Sequence, residues 1–206
     1  MARRSTKRRP LVVGVIASRA DLERAVRMRR PPDLFELRLD RLAGMADEVE
    51  KVLPKLRTPL IITARDPREG GANKLRLRQR RDLLARFLSH ADYIDVELRS
   101  ARTLRALLAI AKAKNVRQII SFHNFKSTPS ARLLEAKAHN AKALRADIFK
   151  VATRTDTPVE LGRLVEFMTS SRLDLALAAM SDWGATHSTA ASANNGLDMM
   201  WETAAV

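Results

Sequence analysis

The 206-residue sequence predicts a single-domain (β/α)8 barrel. Eight short apolar segments typical of strands alternate with seven segments typical of helices, which is the pattern of a parallel sheet covered by helices. No glycine-rich phosphate loop follows the first strand, and this favours the barrel over an open doubly wound sheet. The chain is short for such a barrel. We therefore expect a barrel lacking its final helix over residues 11–206, after a basic disordered tail over residues 1–10.

The predicted strands are short runs of apolar and β-branched residues. The first, at 11–17, is apolar throughout, as is typical of a strand buried on both faces of a parallel sheet. The next six lie at 34–40, 60–65, 93–98, 118–121, 146–152 and 174–179, and a weak eighth lies at 196–201. Helices are predicted at 21–29, 45–53, 75–89, 102–114, 130–144 and 159–170. The seventh segment between predicted strands, at 180–193, is small and polar and is expected to form a loop or a broken helix.

The composition narrows the class of protein. Hydrophobic residues make up 46% of the chain, so this is not the sequence of a disordered protein. The chain contains no cysteine, which excludes disulfides and thiolate zinc sites and is compatible with the cytoplasm. No apolar run approaches the roughly 20 residues of a membrane span, and the apolar run after the basic N-terminal segment is too short for a signal peptide. We therefore expect a cytoplasmic protein with no membrane partner.

The formal net charge of +15 has three explanations. It can reflect a general preference for arginine, the attraction of an anionic substrate, or the binding of nucleic acid. Nucleic acid is disfavoured because one tyrosine, two tryptophans and six phenylalanines leave few side chains for base stacking, and no recognised binding motif is present. The first two explanations stay open.

Two residues in neighbouring strand regions are candidates for catalysis. Lys150 lies within the apolar segment at 146–152, where the burial of an ammonium group is costly. A neutral, desolvated lysine is also the group that imine chemistry needs. His123 lies where the strand at 118–121 gives way to a loop, although a single histidine is more often a structural residue.

Other ionisable residues fall at or near the C-terminal ends of predicted strands, where the active site of a barrel lies. They are Glu36, Arg38, Arg65, Asp95 and Glu97. Glu36 and Arg38 share one face of their strand, as do Asp95 and Glu97, because the members of each pair are two residues apart. Both pairs are also compatible with a salt-bridge layer inside the barrel, and Arg65 is also compatible with a place on the surface.

Two loops carry residues that form turns. The segment Glu69-Gly70-Gly71 follows the third predicted strand, and its glycines indicate a tight turn or a close approach of the backbone to a ligand. After the strand that precedes His123, Pro129 fits the first turn of a helix with Thr128 as its N-cap.

Five groups of segments, in this order along the chain, together resemble type I 3-dehydroquinate dehydratase. They lie at 35–40, at 63–65 with 69–71, at 94–98, at 121–125 with 128–129, and at 147–152. The resemblance extends from about Leu11 to Met180. It implies a (β/α)8 barrel, in agreement with the strand pattern. It also implies the dehydration of 3-dehydroquinate to 3-dehydroshikimate in the shikimate pathway, without a cofactor or a metal.

The resemblance also implies roles for individual residues. Lys150 would form an imine with the ketone of the substrate, which acidifies the neighbouring C–H. His123 would remove that proton as a general base and then, as an acid, help the hydroxyl to leave as water. Glu69 matches an acidic residue that helps to orient the histidine. The substrate-contacting positions of the family correspond to Glu36, Arg38 and Arg65.

The chain departs from the pattern of the family in several places. Asn124 stands where an aspartate usually accompanies the histidine. The Ser–Arg pair after the seventh strand, whose arginine contacts the substrate carboxylate, corresponds to His187 and Ser188. A later serine corresponds to Leu197, and the loop with a substrate-binding glutamine would lie beyond Val206. Two hypotheses follow: an enzyme of reduced activity that associates as a homodimer, or a barrel that serves as a binding module.

Overall fold

The computed structural model describes residues 11–170 in full, and describes the strands at 175–180, 189–193 and 199–202 by their backbone alone. Of the nine strands in the described residues, the first seven pair in parallel and in chain order. They are β1 (Leu11–Ile16), β2 (Leu34–Arg38), β3 (Leu60–Thr63), β4 (Tyr93–Glu97), β5 (Arg117–Asn124), β6 (Ile148–Arg154) and β7 (Leu175–Met180). The α/β class with a parallel sheet is therefore as predicted.

Helices connect these strands. They are α1 (Arg19–Arg27), α2 (Leu39–Leu42), α3 (Ala46–Val52), α4 (Leu77–Phe87), α5 (Leu98–Ala101), α6 (Arg105–Ala113), α7 (Ala131–Ala143) and α8 (Pro158–Ser170). Short 3₁₀ turns lie at Ala43–Met45, Leu53–Lys55, Pro67–Glu69 and Leu88–His90. Within the described parts of the chain, no helix is both long and apolar enough to cross a membrane.

Two predicted strand ends are wrong because helical turns begin there. The sequence predicts Leu39 and Asp40 in the second strand, but β2 ends at Arg38 and α2 begins at Leu39. In the same way, α5 begins directly after β4. The buried carboxylate of Asp40 accepts hydrogen bonds from the backbone N–H groups of Arg65 and Ala72, at 3.2 and 2.9 Å. The turn of α2 thus brings the carboxylate of Asp40 to the loop after β3. If β2 continued as a strand, the alternation of its side chains would not hold Asp40 in this position.

β5 is longer than the predicted strand at 118–121. The strand continues to Asn124, which pairs with Thr153 of β6, and His123 pairs with Ala152. His123 therefore lies inside the strand, one residue before its end, and not in the following loop. The backbone pairing with β6 extends the strand past the point where the apolar pattern stops.

The predicted N-cap of α7 is also wrong. Ser130 caps this helix, and its hydroxyl accepts a hydrogen bond from the N–H of Leu133. Thr128 is buried, and its hydroxyl donates to the carbonyl of Arg154 at 2.8 Å and lies 3.0 Å from that of Thr153. Thr128 thus ties the loop after β5 to the end of β6, and Pro129 precedes the cap instead of opening the helix.

The last strands of the sheet differ from the prediction. β8 (Thr189–Ala193) lies within the segment predicted as a loop or broken helix and pairs antiparallel with β7. β9 (Met199–Glu202) overlaps the predicted eighth strand and pairs in parallel with β1. The described strands therefore form a nine-stranded sheet, with β8 and β9 at its two ends. The predicted tail at 1–10 and the region of the final helix lie outside the described residues.

The two faces of the sheet have different surroundings. One face packs against the helices and contributes residues such as Phe35, Leu37, Ile62 and Ile94 to the main core. The other, which we call the inner face, begins with an apolar layer formed by Val13, Leu34, Ile61, Tyr93, Ile119 and Ile148. Because side chains alternate along a strand, residues two positions further on share the inner face. At these positions β1 carries Val15, and β2 to β6 carry Glu36, Thr63, Asp95, Ser121 and Lys150.

Three aspartates clamp the opposite, N-terminal ends of the strands. Asp33, Asp92 and Asp147 immediately precede β2, β4 and β6. Each carboxylate accepts a hydrogen bond from an N–H near the start of the preceding strand, at 2.8, 2.9 and 2.7 Å. Each aspartate N–H also donates to the carbonyl of the same partner, at 3.0, 2.9 and 2.9 Å. The partners are Val12, Leu60 and Gln118. These paired bonds help to set the register of alternate strands.

We expect Asp92→Ala to lower the free energy of unfolding by about 1 kcal/mol, because the N–H of Leu60 loses its acceptor. Asp92→Asn keeps an acceptor oxygen and should retain most of that stability. Urea denaturation of both variants beside the wild type measures the difference. An equal loss in the two variants would contradict the hydrogen-bond explanation.

Candidate active site

Lys150 lies on the inner face of β6 between two carboxylates. Its Nζ is 3.2 Å from Oδ2 of Asp95 in β4 and 3.6 Å from Oε2 of Glu36 in β2. Only 7% of the side chain is exposed. The apolar residues beside it, Phe149 and Val151, belong to the core on the other face. The two carboxylates therefore offset the cost of burying the ammonium group of Lys150. The apolar residues next to it in the sequence do not explain this burial.

Arg65, predicted as the last residue of the third strand, lies two residues after β3 ends, and its side chain contacts residues of several strands. It is 3% exposed, so its alternative place on the surface is wrong. Its guanidinium donates to the two carboxylate oxygens of Asp95 at 3.1 and 2.8 Å, and to Oε1 of Glu97 at 3.3 Å. It also donates to the hydroxyl of Ser121 at 2.6 Å and lies 3.6 Å from Glu36. The salt-bridge layer considered from the sequence is therefore present around Arg65.

The protonation states in this layer follow from burial and charge. Burial alone would lower the pKa of Arg65, but the carboxylates of Asp95 and Glu97 raise it, so the guanidinium stays charged. Burial alone would raise the pKa of Asp95, but Arg65 and Lys150 beside it hold that pKa well below its usual range. Asp95 is therefore ionised at neutral pH, between two basic side chains.

Arg38 is paired differently from what its spacing suggests. Its guanidinium donates to both carboxylate oxygens of Asp40, at 3.0 and 2.9 Å, and to the carbonyl of Gly70 at 3.2 Å. Burial would raise the pKa of Asp40, but Arg38 and the N–H groups that Asp40 accepts from lower it. The side chain of Arg38 is 18% exposed, compared with 4% for Arg65. Arg38 is thus the more accessible of the two arginines.

His123 and Glu69 form a second polar pair. Nδ1 of His123 lies 3.1 Å from Oε2 of Glu69, and the same oxygen accepts the backbone N–H of His123 at 2.9 Å. On the other side of the carboxylate, Nε of Arg99 lies 3.7 Å from Oε1 of Glu69. Ser121 pairs with Lys150 in the sheet, so His123 lies on the same face and two residues nearer the C-terminal end.

Burial shifts the two groups of this pair in opposite directions. The pKa of His123 lies well below its usual value because the ring is buried and because Arg65 and Lys150 oppose a further positive charge. Burial raises the pKa of Glu69 to about 7, and the charge of Glu97 acts in the same direction. His123 is therefore a neutral imidazole at neutral pH, and Glu69 titrates near neutrality.

The loop that carries Glu69 depends on two glycines. Gly70 has φ +84°, a left-handed conformation that side chains disfavour. A Cβ at Gly71 would lie 2.1 Å from the carbonyl oxygen of Arg65, so only glycine fits. The sequence left open a tight turn or a close approach of the backbone to a ligand. The structure has a tight turn, in which Gly71 lies against the backbone of Arg65. Phe125 lies against Gly70 and stacks on the ring of His123 at 6.2 Å.

The structure thus brings together the six residues selected from the sequence, in two neighbouring groups. Lys150, Glu36 and Arg65 belong to the salt-bridge layer, and His123 pairs with Glu69 while Arg38 contacts the Glu69 loop. Sequence reasoning missed Arg80, a buried arginine of α4 that contacts Glu97. In the sequence this residue cannot be told apart from its basic neighbours Arg76, Arg78 and Arg81. His187 and Ser188 lie outside the described residues.

Fold and site together define an α/β protein whose ionisable residues gather at the C-terminal ends of parallel strands. More specifically, the chain belongs to the type I 3-dehydroquinase family, whose model matches residues 12–194. The resemblance drawn from the five motifs is therefore confirmed at the level of the family.

Individual relatives agree. The 3-dehydroquinate dehydratase of Pyrococcus abyssi is 34% identical over 139 residues, which are 66% of this chain and 63% of that protein. A 3-dehydroquinate dehydratase of a Geobacillus species is 32% identical over 171 residues, which are 76% of this chain and 65% of that protein. The chain thus spans a little under two thirds of the length of these curated relatives.

Solved structures show the same fold. The type I 3-dehydroquinate dehydratase of Clostridium difficile, determined with covalently modified comenic acid, superposes with a TM-score of 0.76 at 24% identity. The match covers 85% of this chain and 77% of that one. The 3-dehydroquinate dehydratase of Aquifex aeolicus gives a TM-score of 0.72 at 25% identity, over 84% of this chain and 80% of the other.

The raised pKa of Glu69 leads to a prediction about stability. Between about pH 4.5 and pH 7 the folded protein holds a proton on Glu69 that the unfolded chain has released. This stabilisation is fully present below pH 4.5 and is lost as the pH rises through about 7. Glu69→Gln cannot titrate. The free energy of unfolding of the wild type minus that of Glu69→Gln should therefore fall by roughly 3 kcal/mol as the pH rises across this range.

Urea denaturation of both proteins at a series of pH values checks this prediction. His123 is present in both proteins, so its own titration largely cancels in the difference. A difference that stays flat, or that grows with rising pH, would show that Glu69 has no raised pKa.

Proposed function

We propose that this chain is a 3-dehydroquinate dehydratase that eliminates water from 3-dehydroquinate to give 3-dehydroshikimate. The reaction proceeds through an imine at Lys150, without a cofactor, in the shikimate pathway that supplies chorismate and the aromatic amino acids. The observation that carries the proposal is a buried lysine next to a neutral histidine, both on the inner face of the sheet in a member of this family. The absence of cysteine supports a reducing compartment such as the cytoplasm.

Lys150 is the nucleophile in this proposal. Its ammonium first gives up a proton and the free amine adds to the ketone carbon. The carbonyl oxygen then leaves as water with the two protons that the nitrogen has lost, so a protonated imine remains. Asp95 and Glu36 lie at the distances of ion pairs and stabilise a positive charge at this nitrogen. The covalently modified ligand of the Clostridium difficile relative supports a covalent route in the family.

His123 transfers the proton. Its lowered pKa keeps the imidazole neutral, which a base requires. When Nδ1–H donates to Glu69, the tautomer is fixed and Nε2 presents a lone pair to the substrate carbon next to the imine. The imidazolium then returns the proton to the leaving hydroxyl, so one residue acts as base and acid in turn.

Arg38, Arg65 and Glu36 are the proposed substrate contacts. Arg38 is partly exposed and is held by Asp40, so its guanidinium suits a carboxylate or hydroxyl of the substrate. Arg65 already donates to Asp95, Glu97 and Ser121, and its contribution is chiefly to position this layer and to attract an anion. The net charge of +15 favours the approach of an anionic substrate.

The proposal also includes closure of the sheet. β1 to β7 and β9 supply eight parallel strands, and β9 pairs with β1. We infer that the sheet encloses the inner face as a (β/α)8-type barrel in which β8, antiparallel to β7, lies between β7 and β9 and closes the gap. A closed barrel keeps Lys150 and its carboxylates away from bulk water.

We expect sodium borohydride, added in the presence of 3-dehydroquinate, to fix the substrate on Lys150. Reduction of the imine makes a stable amine, so mass spectrometry should find the added mass on the peptide containing Lys150. The variant Lys150→Met should acquire no label and no turnover. A label on a different lysine, or turnover without a label, would contradict the assignment.

We expect His123→Ala to lower the rate of dehydration by about 10²–10⁴-fold, the usual contribution of a positioned acid–base group. Borohydride trapping at Lys150 should persist, because imine formation does not require this histidine. His139→Ala, an exposed histidine in α7, is the matched control and should turn over like the wild type. Unchanged turnover in His123→Ala would remove the residue from the mechanism, and a wild type that binds dehydroquinate without turnover would favour the binding-module hypothesis.

A further inference from the structure

Arg80 is a buried cation within an exposed arginine-rich helix. It is 2% exposed, whereas Arg76, Arg78 and Arg81 of the same stretch are exposed. A buried guanidinium is unfavourable unless its charge and its hydrogen-bond donors are matched. Its partners therefore indicate what the residue does.

The partners of Arg80 come from three segments at the C-terminal end of the sheet. One terminal nitrogen donates to Oε2 of Glu97 at 2.8 Å and to the carbonyl of Ala64 at 3.3 Å. The other donates to Oδ2 of Asp66 at 2.8 Å and to the hydroxyl of Ser100 at 3.1 Å. Arg80 thus connects α4 to the end of β3, to the loop after β3, and to the end of β4 with α5.

Two of these partners control the loop that carries Glu69. The carboxylate of Asp66 caps the 3₁₀ turn Pro67–Glu69 by accepting the N–H of Arg68 at 2.9 Å. The carbonyl of Asp66 accepts the N–H of Glu69 at 2.8 Å. Glu97 accepts the N–H of Asp66 through its Oε1, at 2.9 Å. The position of the turn therefore depends on Asp66 and Glu97, and Arg80 holds both.

From these contacts we propose that Arg80 is a positioning residue for the His123–Glu69 pair. By fixing Asp66 it holds the turn that places the carboxylate of Glu69 against Nδ1 of His123. By pairing with Glu97 it balances a carboxylate whose charge acts on Glu69. The inference rests on the proposed dehydratase function for its kinetic consequences, whereas the structural link from Arg80 to His123 does not.

The electrostatic consequence has a definite sign. Glu69 is surrounded by charged and titratable groups from the neighbouring strands, loops and helices: Arg65, Arg68, Glu97, Arg99, His123 and Lys137. Among these, Glu97 is the carboxylate that raises the pKa of Glu69. Removal of the Arg80 charge leaves Glu97 less compensated, so the pKa of Glu69 rises further. In the proposal, the ionised carboxylate of Glu69 orients His123. The acidic limb of the pH–kcat profile, where kcat falls as Glu69 gains its proton, therefore moves to higher pH.

The test compares Arg80→Met with Arg78→Met, a matched change at an exposed arginine two residues away. We expect Arg80→Met to lower kcat by roughly ten- to a hundredfold, the effect of a small misplacement of a catalytic group. KM should change little, borohydride trapping at Lys150 should persist, and the acidic limb should shift upward. Arg78→Met should match the wild type in all four measurements. An Arg80→Met profile identical to that of the wild type would overturn the proposal.

A second readout does not need activity. The N–H of His123 is bonded to Glu69, so hydrogen exchange at His123 reports whether the turn is in place. Arg80→Met should exchange faster there, with no such change in Arg78→Met, and equal exchange would overturn the positioning role. If the wild type shows no turnover of dehydroquinate, the proposed function fails, but the exchange result still decides the link.

The variants also separate positioning from folding. Arg80→Lys keeps the charge and should recover the acidic limb, but it cannot bridge Asp66 and Glu97 with two nitrogens, so kcat should stay low. In the double variant Arg80→Met with Glu97→Gln, the unmatched carboxylate is gone, and the upward shift of the acidic limb should disappear. A shift that persists in the double variant would contradict the charge-balancing part of the proposal. If Arg80→Met does not fold, Arg80→Lys carries the test, and a kcat equal to that of the wild type in Arg80→Lys would overturn the proposal.

Discussion

The structure depends on a balance of buried charge on the inner face of the sheet. Arg65 and Lys150 face the carboxylates of Glu36, Asp95 and Glu97 over distances of 2.8 to 3.6 Å. Loss of one member would leave an unmatched buried charge, which typically destabilises a protein by about 3–5 kcal/mol. The cluster therefore both constrains the sheet and supplies an environment in which a charged nitrogen is stable.

Strand register places this cluster. Each of β2 to β6 contributes an apolar residue near its N-terminal end and a polar residue two positions later, so an apolar layer lies beneath the ionic layer. In β5 and β6 the pairing of Ser121 with Lys150 fixes the height of the lysine relative to His123. A slip by one residue would turn Lys150 into the helix-packed core and replace it with Phe149 or Val151. The aspartate clamps at the strand starts oppose such a slip.

The sequence was sufficient for the α/β class, and the six candidate residues that it selected lie close together in the structure, whereas their roles are predictions. The strand–helix alternation and the lysine inside an apolar strand are local patterns, and they led to Lys150, whereas Glu69 was selected through the resemblance to the family. What escaped prediction depends on contacts between distant segments. Threonine is a common N-cap residue, but the hydroxyl of Thr128 donates a hydrogen bond to the carbonyl of Arg154 in β6. Arg80 is indistinguishable from its exposed neighbours until α4 packs against Glu97. The antiparallel β8 pairs with the edge of β7 that β6 does not occupy.

A lysine paired with carboxylates suits the proposed imine chemistry because the charge on its nitrogen is the same before and after the imine forms. An ammonium and a protonated imine carry the same charge at nearly the same place, so Asp95 and Glu36 stabilise both states of Lys150. The covalent intermediate then forms without creating a new buried charge, and no reorganisation of the salt-bridge layer is required. The positive nitrogen also keeps the pKa of His123 low, as the ammonium does before the reaction. The imidazole therefore stays neutral until the substrate itself supplies the proton.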